Sequence, residues 1–162
     1  MLRIPSATLH GAAAEIGYLT QKDDNWMDET PARAKDEAAI RELVEAWAAA
    51  VRKGDRRGIL RYHSADMLMF DVPPPLQSKG IDAYERTWDL YFSWSREQGV
   101  FDITEMNVTA GSEVAFVTAL MRCAGTEPNG QQSELDFRLT IGLCKIEDRW
   151  IVTHEHHSIP AN

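Results

Sequence analysis

The stretch Trp150-Ile-Val-Thr-His-Glu-His-His-Ser-Ile-Pro160 sets three histidines and a glutamate in one short run of strand-like composition. Strand interiors ordinarily carry apolar or threonine side chains on at least one face, so this crowding requires a wet sheet surface or a polar-lined pocket. Alternation groups Val152, His154 and His156 on one face and Thr153, Glu155 and His157 on the other. Which group faces inward depends on pairing with the preceding run, Leu135-Asp-Phe-Arg-Leu-Thr-Ile-Gly-Leu143. That run has strict period two, with Leu135, Phe137, Leu139, Ile141 and Leu143 toward a core and Asp136, Arg138, Thr140 and Gly142 outward.

Two registers are open. If Glu147-Asp148 is a two-residue turn, His154 lies opposite Ile141 and His156 opposite Leu139, and both imidazoles join the apolar face. One extra residue, as a bulge, reverses this and turns Glu155 and His157 inward. The first register is preferred, because Val152 then continues the apolar row.

Upstream, Phe101 to Thr109 alternates, Gly111-Ser112 turns, and Val114 to Cys123 forms a further strand. Helical signals all precede these strands. Ile40, Leu43, Val44, Trp47, Ala48 and Val51 recur at helical spacing, after Thr30-Pro31, which reads as a cap and first helical position, and before Gly54. Asp55 caps a short second helix carrying Ile59, Leu60, Tyr62 and His63. Met67 to Asp71 is a buried strand stopped by Pro73-Pro74-Pro75, and Gly80 precedes a third helix striped with Ile81, Tyr84, Trp88, Tyr91 and Phe92 and closed by Gly99. Helices followed by an antiparallel meander make an α+β domain over residues 31–162, with three helices on one face of a curved sheet and an extension over residues 1–30.

The chain's 162 residues carry 25 acids against 17 bases, a net charge of −8 that argues against nucleic acid or an anionic membrane as partner. No apolar run approaches the roughly 18 residues of a membrane span. The first residues lack a continuous apolar segment and make a poor secretory signal, so the cytoplasm is the expected location. Cys123 and Cys144 show no metal spacing, and a turn at Pro128-Asn-Gly130 puts them near opposite ends of a hairpin, as buried small hydrophobes.

Two patches carry a resemblance to a known family. One is Lys53-Gly-Asp55, followed by Phe70-Asp-Val-Pro73 and Lys79-Gly80; the other is Asp148-Arg-Trp150 with His154-Glu-His156-His-Ser158. Together they resemble the nuclear-transport-factor-2-like superfamily, which includes ketosteroid isomerases, SnoaL-type cyclases and the association domain of calcium/calmodulin-dependent kinase. The resemblance spans about Asp36 to Pro160. It implies a conical half-barrel closing over a small-molecule pocket and dimerising through the outer surface of its sheet. It also places Asp71 on the isomerases' catalytic base, and Trp47 and Trp88 at pocket walls. The isomerases' oxyanion-hole tyrosine falls at Trp47 and its partner aspartic acid at Ile141 or Gly142, so both side-chain donors are missing. One such donor is worth about 3–4 kcal/mol of barrier, so steroid isomerisation is not expected.

The candidate catalytic residues are therefore Asp71 as base, with His154 and His156 as acid or electrophile. Trp47, Trp88, Leu139 and Ile141 are candidate walls for an apolar or aromatic ligand, and Glu155 and His157 join them in the alternate register. Each has a plainer reading: Asp71 as a turn residue bonding backbone amides, the tryptophans as core, the histidines as satisfied surface groups. His154, His156 and Asp71 are too weak a pattern for zinc, so no metal is expected. With no phosphate-cradling glycine loop, no organic cofactor is expected either. The expected function is proton transfer on an apolar carbonyl compound; a non-catalytic binding or oligomerising module is the alternative.

Overall fold

A computed structural model describes residues 30–94 and 99–161. The extension expected over residues 1–30 falls, Thr30 apart, outside the described residues, as does the stretch 95–98 before Gly99. Helix α1 spans Pro31–Lys53 and α2 Arg56–Leu60. They are followed by β1, His63–Phe70, β2, Ser78–Lys79, and α3, Ile81–Trp94. Four long strands complete the domain: β3 Val100–Ala110, β4 Val114–Thr126, β5 Gln132–Ile146 and β6 Arg149–Ser158.

The caps form as their chemistry requires. The Thr30 hydroxyl accepts from the Arg33 amide with Pro31 in the first turn, and Gly54 takes the left-handed conformation at φ 65° that ends α1. The Asp55 carboxylate accepts from the Gly58 amide, 3.0 Å away, to start α2. Helix α2 has only five residues, so Tyr62 and His63, expected on it, lie beyond its end and His63 opens β1 instead.

The six strands form one curved, unclosed sheet in the order β2-β1-β6-β5-β4-β3. All neighbours are antiparallel except β1 and β6, which run parallel; the expected antiparallel meander is β3 to β6. Parallel pairing requires a long crossover, and here α3 and the β3–β5 meander supply it. The inward rows of β1, β4, β5 and β6 bury Met67, Met69, Val117, Met121, Leu139, Ile141, Leu143 and Val152 in the same core as Ile40, Val44, Trp47 and Val51 of α1. A polar pin fixes α1 against the sheet: Asp36 accepts from Lys145 Nζ at 2.7 Å and from Trp150 Nε1 at 3.1 Å. The tryptophan of the Asp148-Arg-Trp150 patch thus does structural work.

Among the described residues no helix is long and apolar enough to cross a membrane. Cys123, paired with Leu135, and Cys144, paired with Val114, stand at opposite ends of the β4–β5 hairpin, and both thiols are free.

Candidate functional site

The turn between β5 and β6 has two residues, Glu147 and Asp148, at φ 50° and 58°, the geometry of a tight hairpin that follows strand twist. From there Lys145 pairs with Trp150 and Leu143 with Val152, as the preferred register requires. The ladder then slips by one residue, and Gly142 pairs with His154, Ile141 with Glu155 and Leu139 with His157. Thr153 is the extra residue of a β-bulge, and its hydroxyl reaches the Gly142 carbonyl at 3.3 Å. Gly142 suits the crowding there, because a Cβ at that position would stand 3.3 Å from the Cβ of His154.

The bulge lets Val152 and Glu155 face the same interior, which strict alternation forbids. It also corrects the preferred assignment of His154 and His156. Both lie on the outer side of the sheet, His154 half-buried with its Nδ1 2.8 Å from the Leu68 carbonyl and His156 exposed. Phe70 stands edge-on to both rings. Neither reaches Asp71, and the interior instead receives Glu155, 0% exposed, and His157, 8% exposed.

Asp71 follows β1 directly. Its Oδ1 accepts from the Val72 amide at 2.8 Å and lies 3.3 Å from Nδ1 of His157. The turn role and the pocket role are therefore filled by the same carboxylate. The other nitrogen of His157, Nε2, faces Glu155 Oε2 at 3.4 Å, an ion-pair contact without hydrogen-bond geometry. Glu155 Oε1 accepts from His63 Nε2 at 2.6 Å and from the Tyr84 hydroxyl at 2.9 Å. Tyr84 in turn accepts from Trp47 Nε1 at 3.0 Å. The result is a continuous polar thread from Asp71 through His157 and Glu155 to His63, Tyr84 and Trp47.

Charge settles where burial alone would oppose it. Burial pushes the Glu155 carboxyl up, but His157 and His63 outweigh it and hold the group down at about 2. Burial pushes His157 down, and contacts with Asp71 and Glu155 overcome that to raise it to about 9. His157 is thus an imidazolium at neutral pH, held between two carboxylates. Burial and the Glu155 charge push the Tyr84 phenol well above its ordinary value, which keeps it a donor.

Asp71 and His157 both line a cavity of about 480 Å³. Its walls are apolar and largely aromatic, formed by Trp88, Tyr91 and Trp94 of α3, Phe101 of β3, and Leu135 and Phe137 of β5. Of the residues expected at the site, Asp71, Trp88 and His157 line this cavity. Trp47, Leu139, Ile141 and Glu155 lie beneath it in the core, Trp47 edge-on to Trp88 and Phe101. Sequence reading missed His63, Tyr84, Tyr91, Trp94 and Phe137 as site residues. For His63 a signal existed in the odd-number parity it shares with Met67 and Met69.

A family model described as a SnoaL-like domain matches residues 40–162. Among solved structures, the chain is similar to an NTF2-like protein of unknown function from Pseudomonas putida KT2440, at 32% identity and TM-score 0.71, over 80% of this chain and 89% of that one. It is also similar to the association domain of CaMKII from C. elegans (19% identity, TM-score 0.64, 80% and 100% covered). A ketosteroid isomerase-like protein from Erwinia carotovora atroseptica matches at 17% identity and TM-score 0.67, over 79% and 98%. No curated protein matches significantly. The two more distant likenesses establish the cone fold only. With the family match over residues 40–162 and the likeness to an NTF2-like protein at 32% identity in agreement with the fold, the chain belongs to the SnoaL-like domain family of the nuclear-transport-factor-2-like superfamily.

Proposed function

We propose that this protein is a cofactor-independent enzyme that moves protons on a small apolar or aromatic carbonyl compound. The observation carrying this reading is that the Asp71 carboxylate and the His157 imidazolium meet, at 3.3 Å, on the wall of an apolar cavity of about 480 Å³. Such a cavity, with a few convergent polar groups, is the usual form of a small-molecule site. Asp71 is the base. Its Oδ1 is committed to Val72 and His157, while Oδ2 makes no hydrogen bond among the described residues and is free to take a proton from carbon. Both nitrogens of His157 face carboxylates, so it acts by its fixed positive charge rather than as a direct donor. Proton return at another carbon gives isomerisation, and loss of a leaving group gives elimination.

The test is hydrogen–deuterium exchange at carbon next to the carbonyl of aromatic ketones such as 2-acetonaphthone, followed by NMR in D2O. Wild-type protein should accelerate exchange, and Asp71→Asn should reduce the acceleration by about 10²-fold or more, the usual worth of a positioned base. Acceleration that survives Asp71→Asn would refute the assignment of the base.

The second reading is a binding or oligomerising module, favoured by the full commitment of both His157 nitrogens to neighbouring carboxylates. Under either reading the outer sheet face, where Val114, Phe116 and Leu120 of β4 are exposed, is proposed to pair with a second copy of the chain. Sedimentation at low concentration, comparing wild type with Phe116→Lys, checks this: a dimer that the substitution dissociates supports it.

A further inference from the structure

The cavity does not end at Asp71. A second hollow of about 260 Å³ shares Asp71, Pro73, Thr87 and Leu90 with it, so Asp71 stands at the junction of two compartments. Their chemistry differs. The larger is walled by aromatic rings, whereas the smaller is lined in part by the exposed residues Lys79 of β2 and Arg86 of α3. Neither cation makes an ion pair among the described residues, although Arg56, Arg122 and Lys145 each engage a carboxylate. Arg86 also borders Asp82, Glu85 and Asp89 on its far side, but none of their carboxylate oxygens lies within 4.0 Å of its guanidinium nitrogens, and Asp89 is engaged by Arg56.

Charge at the other margin of the large cavity is of the opposite sign. Glu127 and Glu134 line it there, and the whole chain carries a net charge of −8. An anionic group would be disfavoured beside those glutamates and received beside Lys79 and Arg86. This orients any ligand that has an apolar body and one acidic end.

We infer that the ligand is an aromatic or apolar carboxylic acid, with its body in the large cavity and its carboxylate in the smaller hollow against Arg86 and Lys79. This rests on the reading of the large cavity as a small-molecule site and adds to it the substrate class and the direction of binding. In this pose the segment joining body to carboxylate crosses Asp71, where the proton transfer takes place. Arg86 and Lys79 are specificity residues that touch the acidic end and leave the reacting atoms alone.

The experiment compares 3-(2-naphthyl)propanoate with its neutral ketone relative of similar shape, 4-(2-naphthyl)butan-2-one, by titration calorimetry at pH 7 in low salt. Wild-type protein should bind the acid about tenfold more tightly than the ketone, the gain of two exposed charge contacts. The double variant Arg86→Gln with Lys79→Gln should erase that preference and leave ketone affinity within about twofold, which also controls for folding. Added salt should narrow the wild-type preference. Equal binding by wild type, or a preference that survives in the double variant, overturns the inference while leaving the cavity reading in place. Failure of both compounds to bind removes the cavity reading, and the inference falls with it.

Discussion

Nε2 of His63 lies 2.6 Å from Oε1 of Glu155, joining side chains 92 residues apart at positions where both are 1% exposed. This contact links the parallel strands β1 and β6, the sheet's longest-range pairing. It also completes the neutralisation of Glu155, whose second oxygen faces His157. A buried carboxylate is tolerated when its charge is matched; here His63 and Tyr84 hydrogen-bond Oε1, and His157 offsets the charge at Oε2 through an ion-pair contact.

Removing the Glu155 charge should therefore be costly. Glu155→Gln leaves His157 an imidazolium with one carboxylate partner, and breaking a buried pair of this kind typically costs about 3–5 kcal/mol. Urea unfolding should show a loss near the lower end of that range, since Asp71 still faces the ring. No measurable loss would mean that the thread from Asp71 to Glu155 contributes nothing to stability.

Tyr84→Phe probes the other branch. The change strips one donor from Glu155 and leaves the Trp47 N–H without its acceptor, in a site the phenol fills completely. An unsatisfied buried group costs about 1–3 kcal/mol, so the variant should be less stable by about that amount. Ligand affinity in the cavity should be unaffected, because Tyr84 lies beneath the wall.

Stability should vary with pH in a direction set by the two shifts. His157, raised from 6.5 to about 9, stabilises the fold fully below 6.5 and loses that contribution as pH rises through about 9. Glu155, lowered from 4.5 to about 2, contributes fully above 4.5 and loses that contribution as pH falls through about 2. The stabilisation from this pair is therefore greatest between about 4.5 and 6.5. Because the two shifts largely describe one interaction, it is counted once, at about 3 kcal/mol. Thermal unfolding followed from pH 6 to pH 10 should show this decline in wild type and a smaller one in Glu155→Gln.

The bulge at Thr153 makes neighbouring histidines unequal. His156→Ala, on the exposed outer face, should change stability by no more than about 0.5 kcal/mol, whereas His157→Ala empties a buried, charge-paired site and should cost several times as much. Equal effects would mean that the strand lacks its bulge.

The sequence made much of this legible, and the gaps have physical causes. Helix α1 could be read from its apolar stripe and its caps, and β5 from strict alternation, because both patterns are local. The register of β6 was not local in the same sense. A two-residue turn and an inward Val152 were both correct, yet one inserted residue reversed the parity beyond them. Only Gly142 opposite the insertion hinted at it. His63 was misplaced because a five-residue helix leaves too short a period to show its end. Tyr84 read as an ordinary member of an apolar stripe, since nothing nearby in sequence reveals that a carboxylate 71 positions away receives its hydroxyl. Proximity of Asp71 to the final strand was expected, but the imidazole that meets it came from the other face.

The most direct test is an NMR titration of the histidine rings in wild-type protein and Asp71→Asn. In wild type, His157 should keep its proton well past neutrality, with a midpoint near 9, and Asp71→Asn should lower that midpoint. A His157 ring that titrates near 6.5 in both proteins would contradict the charge pairing at the cavity wall on which the proposed chemistry depends.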